Sequence, residues 1–436
     1  MDENPYNHVP GGHANFRRFL GAAWFSLFPV LATAGDWPQF RGRSGSATSD
    51  DTGLPESWSD ENNVNWKTEL PGFGASSPVV VGDHVFLTCY SGYGLDVERP
   101  GEITSLERHL LSIDRNDGTI TWNRTVPAAA KEANYVDFLP QHGYATNTPA
   151  CDGHRVYAFF GAAGVQAFDL EGTRLWQADV GHDVHNWGSA GSPVVYGDLL
   201  YINAAVESDA FVALGKLTGR EAWRVKRLIS SWSTPLVVDV RGGEPELVVS
   251  VKGRLIGLRP KTGEELWVCK TKQAYGAPSP IERDGLIYAF GGRPNALLAI
   301  RPGGRGDVTE SHVAWRAAGV GSAITSPVWY DGHLYSIDER GIAACVVAAT
   351  GEVVYKERLA DEGVGVYASP VAADGKLYGV SREQGTFVLA AGGAFKRLAV
   401  NRLTADDSVF NATPAISRGQ LLLRSNRFLY CIGGTR

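Results

Sequence analysis

A dipeptide of Ser or Thr followed by Pro returns eight times along the chain, and its spacing constrains the fold more than any other feature. The pairs are Ser77-Pro78, Thr148-Pro149, Ser192-Pro193, Thr234-Pro235, Ser279-Pro280, Ser326-Pro327, Ser369-Pro370 and Thr413-Pro414. After a first interval of 71 residues, the spacings are 44, 42, 45, 47, 43 and 44. Self-similarity at a fixed period of this length marks a repeat architecture. Two insertions, residues 90–109 and 123–147, account for the long first interval.

Each unit carries four strand-like runs. The second follows an Asp-Gly or Gly-Asp turn, as at Asp152-Gly153, Asp284-Gly285, Asp331-Gly332 and Asp374-Gly375. Such pairs tolerate positive φ and favour tight hairpins. A glycine turn then leads to a fourth run ending in an aromatic residue four positions on: Gly118/Trp122, Gly172/Trp176, Gly219/Trp223, Gly263/Trp267 and Gly351/Tyr355. Four strands per unit of about 44 residues predict a propeller blade.

The eighth unit stops after its third run, Phe428–Ile432. A fourth run without partners of its own, residues 64–70 around Trp66, sits before the first unit. The expectation is an all-β, eight-bladed β-propeller of four-stranded antiparallel blades, closed by this N-terminal strand, because closure removes exposed sheet edges. Trp66, Trp122, Trp176, Trp223, Trp267, Trp315 and Tyr355 are predicted to dock blade on blade, burying flat rings between neighbours. Two units depart from the pattern: the fifth has an insertion at 303–311, and the seventh has Lys396-Arg397 where the tryptophan is expected.

Ahead of the repeats, Arg17 and Arg18 precede an apolar run over residues 19–31 and the triplet Ala32-Thr33-Ala34. That order predicts a signal peptide over 1–34 and one propeller over 35–436. The protein is then exported, to the periplasm or the cell surface, with no transmembrane span in the mature chain. A net charge of −6 argues against a nucleic-acid partner. Cys89, Cys151, Cys269, Cys345 and Cys431 are scattered and show no metal or redox spacing, although one disulfide stays open in an oxidising compartment.

The run from Ser112 to Trp122 resembles the tryptophan-docking motif of PQQ-type quinoprotein propellers, A-x-D-x-x-T-G-x-x-x-W. Runs 213–223 and 257–267, with Thr218-Gly219 and Thr262-Gly263, resemble further copies. The opening Asp36-Trp37-Pro38-Gln39-Phe40-Arg41-Gly42 is similar to the start of secreted bacterial PQQ-like propellers. The resemblance implies one of two classes. One comprises non-catalytic scaffolds typified by BamB, the propeller subunit of outer-membrane assembly, for which no cofactor is expected. The other comprises oxidoreductases that act on alcohols or sugars with PQQ and Ca²⁺ in the central funnel. Adjacent cysteines and a haem site, which often accompany the second class, are absent from the sequence, and so is the lipidation cysteine of the first. The first class is the leading expectation, and no catalytic residue is assigned.

A binding mouth can be read from the loops. Just before the Ser/Thr-Pro pairs stand Phe73, Tyr144, Trp187, Trp232, Tyr275, Tyr367 and Phe410. They are either packing residues or a stacking surface for a protein partner or a glycan. The loops between second and third strands carry Lys252, Arg254, Arg293, Arg340, Arg382, Arg424 and Arg427. Together they predict a positive mouth suited to a small acidic ligand or an acidic partner. His182 and His185 offer two metal ligands, a weak signal without a fuller set. The insertion between the first two units holds residues 128–133, an alanine-rich stretch that predicts a short helix, and long insertions on rigid scaffolds often carry function.

Overall fold

The turn chemistry of the repeat sets the strands. In the computed structural model, which describes residues 35–291 and 296–433, Asp284-Gly285, Asp331-Gly332 and Asp374-Gly375 all have positive φ at both positions. This is the conformation that matches the twist of a tight hairpin. Eight sheets result. Seven come from residues 79–127, 150–178, 194–226, 236–270, 281–318, 328–358 and 371–401 in turn. The eighth joins the strands within 415–432 to Val64–Glu69, so the two ends of the described chain close the ring. Helix among the described residues is limited to Ala205–Ser208 and three short 3-10 turns, and none is long and apolar enough to cross a membrane. The predicted signal peptide lies outside the described residues.

In every blade the fourth strand bulges by one residue just before its aromatic position. Trp122 pairs with Ser112, Trp176 with Ala167, Trp223 with Ala213, Trp315 with Ala299 and Trp66 with Cys431, and the register slips at each. A bulge adds local twist and re-aims a side chain. Here the indole lies on the next blade's turn glycine. A Cβ at Gly118, Gly172, Gly219, Gly263 or Gly351 would come within 2.6–2.8 Å of Trp66, Trp122, Trp176, Trp223 or Trp315 respectively. Each indole N–H also donates to that next blade, to Arg115 O (3.1 Å), Leu170 O (2.8 Å), Lys216 O (3.0 Å), Pro260 O (2.9 Å) and Ala348 O (3.0 Å).

Three joints depart from this rule. Trp267 does not reach blade 5. It is buried over Gly257 of its own blade and donates to Glu246 Oε2 (2.8 Å). The 303–311 insertion explains the change, because Gly306–Asp307 pairs in parallel with Trp267 and Val268 and covers the site. In blade 7 the register puts Ala399, rather than Lys396-Arg397, opposite Val388 at the aromatic position. Trp58, from the strap before the closing strand, fills that gap. Its ring lies 6.3 Å from Tyr378 at 34°, close to the 5.9 Å and 38° of Trp315 on Tyr288. The strap is anchored by Tyr378 Oη donating to Pro55 O (3.0 Å) and by Trp58 N–H donating to Asn401 Oδ1 (3.0 Å). Tyr355, with no glycine to meet, packs edge-on against Phe395 at 5.6 Å.

At the axis, the Ser/Thr of each repeat takes part in a relay. Ser77 N–H donates to Thr148 Oγ1, Thr148 to Ser192, Ser192 to Thr234, Thr234 to Ser279, Ser279 to Ser326, Ser326 to Ser369 and Ser369 to Thr413, all at 2.8–3.1 Å. Proline follows each one because the next position needs no donor at the start of the inner strand. The opening motif threads the same axis. Trp37 exchanges backbone bonds with Val80, Pro38 O accepts from Cys151, Arg41 reaches Pro327 O, and Ala47 O accepts from Ala372. All five cysteines are buried and free, so no disulfide forms.

Candidate functional site

The mouth on the Ser/Thr-Pro side opens into a funnel of about 370 Å³. Its lower wall is the hydroxyl ring, with Ser77, Ser192, Thr234, Ser279, Ser326, Ser369 and Thr413 among the lining residues. Phe40 of the opening motif lines this funnel and, with Thr234 and Ser279, also a second cavity bordered by Gln39, Arg41 and Arg43. Four of the seven aromatic residues expected at the mouth line it: Trp187, Trp232, Tyr275 and Tyr367. Trp187 meets Tyr275 edge-on at 5.0 Å and Trp232 at 5.1 Å. Trp232 is fixed by its indole N–H, which donates to Gly188 O (2.9 Å).

The other three aromatics are packing residues. Phe73 pairs through its backbone with Tyr90. Tyr144 lies among Tyr90, Tyr93 and Tyr135 and donates to Ala133 O (2.7 Å). Phe410 stacks on Tyr430 at 6.3 Å.

The long insertion caps the funnel. Residues 128–133 form no helix. Instead Glu132 is clamped bidentately by Arg108, both contacts at 2.6 Å and both side chains buried. The short turn Leu139–Gln141 follows. Phe138 reaches across the mouth, 5.7 Å from Trp187 and 5.9 Å from Tyr367. Gln141 O accepts from Asn411 Nδ2 (2.6 Å) and Arg382 Nη1 (3.3 Å), tying the cap to blades 7 and 8. His142 lines the funnel, bonded to Thr146 Oγ1 (2.8 Å), and burial pushes its pKa down to about 4, so it is neutral.

The predicted positive mouth does not assemble. Arg340 is held by Asp338 (2.7 Å), Arg427 by Asp407 (3.4 Å) and Arg254 by Glu265 (3.8 Å). Arg424 is buried, donating to Ser76 O (2.7 Å), with burial lowering its pKa to about 10. Arg382 lies over the Tyr367 ring at 4.3 Å, and Lys252 is exposed away from the lining. Arg293 falls outside the described residues. The physical reason is local: acidic neighbours such as Asp338 neutralise loop arginines before they can sum into a field. Among the described residues the funnel lining contains no lysine or arginine and one carboxylate, Glu339.

The two histidines do not converge either. His182 pairs with Asp179 (2.8 Å), while His185 Nδ1 accepts from Trp187 N–H (3.1 Å) and its ring packs on Trp232. Among the described residues no group of three or more His, Cys, Asp or Glu could hold a metal. Phe40, Phe138, His142, Glu339 and Asn411 are site residues that no repeat announces. For Phe40, Phe138 and His142 the signals were the non-repeating segments themselves, the opening motif and the insertion, whereas Glu339 and Asn411 stand in blade loops beside Arg340 and Phe410 with no pattern to mark them.

A self-closed ring of eight four-stranded blades, with tryptophans docked on glycines and a capped axial funnel, defines the quinoprotein-type propeller architecture. A family model described as "Outer membrane protein assembly factor BamB" matches residues 102–224 and 162–305. Over residues 102–305 the chain carries repeats of the PQQ-like β-propeller family. Its fold is similar to BamB from Moraxella catarrhalis, with 14% identity and a TM-score of 0.58 over 85% of this chain and 98% of that one. It is also similar to the quinohemoprotein alcohol dehydrogenase ADHIIG from Pseudomonas putida HK5, with 12% identity and a TM-score of 0.61 over 92% and 81%. The computationally designed Ika8 protein matches with 10% identity and a TM-score of 0.57 over 85% and 100%. A search of curated protein sequences gave no match. At these identities the likeness concerns the fold, and the fold alone does not assign an activity.

Proposed function

We propose that the protein is a non-catalytic, exported propeller that binds a partner polypeptide at its capped mouth, in the periplasm or at the cell surface. The observation that carries this reading is the funnel lining, with aromatic walls, a hydroxyl ring and no cationic side chain among the described residues. Aromatic anchoring in a desolvated pocket is how partner surfaces gain most of their binding energy. The cap tied to blades 7 and 8 by Gln141 supports it, because such a segment adds contacts around an inserted side chain. The likeness to BamB supports an envelope setting.

PQQ fits this lining poorly. It is a polycarboxylate, and burying several carboxylates without cations or a metal is costly. Purified protein incubated with PQQ and Ca²⁺ should neither retain the cofactor nor reduce a dye with an alcohol or sugar. Stoichiometric PQQ retention with dye reduction would overturn the reading. A partner cross-linked to the native protein should be lost on Trp232→Ala and on Phe138→Ala. Unchanged recovery in both variants would count equally against the mouth.

A further inference from the structure

The charge inside the funnel has the opposite sign to that of an acid-binding mouth. Glu339 is the one carboxylate among the described lining residues, and the hydrogen bonds it accepts there, from Ser322 Oγ (3.1 Å) and Ala323 N–H (3.2 Å), both fall on Oε2. Oε1 therefore keeps its acceptor capacity. Val366 N–H donates to Glu339 O (3.3 Å), which sets Tyr367 beside it. Tyr275, from the preceding blade, lines the same space, and Phe138 leans on Tyr367 from the cap.

Aromatic faces carry negative potential, and a carboxylate next to them deepens it. With His142 neutral, no described lining residue is cationic, and the neighbouring Arg382 guanidinium is already engaged by the Tyr367 ring and Gln141 O. Tyr367 already accepts one such guest from within the chain, since the Arg382 guanidinium rests 4.3 Å from its ring centre. A guanidinium suits this environment better than an ammonium. It is planar, weakly hydrated, stacks on rings and meets a carboxylate through a fork of donors.

We infer that the funnel takes an organic cation, the guanidinium of an arginine side chain that the partner polypeptide inserts between these rings and Glu339. The inference rests on the reading of the funnel as a partner site and adds the chemistry of what enters it. The full chain would be titrated calorimetrically with N-acetyl-arginine amide, its neutral isostere N-acetyl-citrulline amide, and tetramethylammonium. The arginine amide should bind at least about tenfold more tightly than the citrulline amide, the factor that about 1.4 kcal/mol represents. Glu339→Gln, which keeps an acceptor for Ser322 and Ala323, should erase that preference while leaving citrulline affinity and Tm unchanged. Equal binding of the two amides, or a preference that survives Glu339→Gln, would overturn the inference. Tighter binding of tetramethylammonium than of the arginine amide would overturn its assignment to arginine. If neither amide binds while partner recovery still depends on Trp232 and Phe138, the cation inference fails and the partner site stands. If recovery ignores both residues, the partner reading itself fails.

Discussion

The outer rim of the ring and its inner mouth are built by opposite rules. At the rim, the same pair of residues recurs from blade to blade, an indole on a glycine with one hydrogen bond to a carbonyl. At the mouth, repeated hydroxyls and aromatics are completed by single contributions: Phe138 arrives from an insertion, and Phe40 comes from the opening motif. Repetition serves stability because five of the eight joints solve the same packing problem. The site becomes particular where repetition stops.

The largest test sets a regular joint against an irregular one. Trp223→Ala removes an indole packed on Gly263 and its bond to Pro260 O, and should cost about 3–5 kcal/mol, the range for deleting a large core aromatic. Trp58→Ala should cost a similar amount, although no repeat marks Trp58, because it fills the gap that Ala399 leaves. Denaturant midpoints would measure both. A near-neutral Trp58→Ala would show that blade 7 closes on blade 8 without the strap.

That pair also shows how far the sequence could be read. Eight blades, the closing role of Trp66 and the glycine-to-indole docking were legible because each is stated several times over. The turn of Trp267 toward Glu246 and the filling of the blade 7 gap by Trp58 were not, since each is made by a segment outside the repeat, the 303–311 insertion and the strap before the closing strand. For the mouth, position before the Ser/Thr-Pro pair located Trp187, Trp232, Tyr275 and Tyr367, but could not tell them from Phe73, Tyr144 and Phe410. Whether an aromatic faces the funnel depends on what already fills the space behind it. Around Tyr144 the insertion supplies Tyr135, and behind Phe410 stands Tyr430. Arginines misled for a related reason, as a count of like charges ignores partners such as Asp338.

A second, smaller effect separates the two regions by pH. Glu207, beside the cap, is 2% exposed with neither carboxylate oxygen hydrogen-bonded, and burial raises its pKa to about 7. Its folded pKa exceeds its unfolded one, so the folded state holds the proton. The contribution to stability is full below the unfolded value and is lost as pH rises through about 7. Glu207→Gln imitates the protonated acid. It should flatten this slope and exceed the parent at pH 8 by about 3 kcal/mol. Unfolding curves at pH 4.5, 6 and 8 check it, and parallel pH profiles for parent and variant would refute a protonated Glu207. The five regular joints should produce no such slope, because their docking bonds run between uncharged groups.

The smallest effect lies in the hydroxyl relay, where the two regions meet. Ser326 Oγ accepts from Ser279 N–H at 2.9 Å, so Ser326→Ala strands a buried donor and should cost about 1–2 kcal/mol. Ser326→Thr should restore most of it, since Thr occupies the same position at residues 148, 234 and 413. Ser77 heads the relay and differs: its N–H donates to Thr148, but its own hydroxyl has no partner. Ser77→Ala should therefore change stability by less than about 0.5 kcal/mol. Equal losses at the two positions would mean that the relay closes through Ser77, making the axis as regular as the rim. Unequal losses would locate the one break in the ring at the blade 8 to blade 1 joint. Arg424 already spans that joint, donating to Ser76 in place of a hydroxyl link.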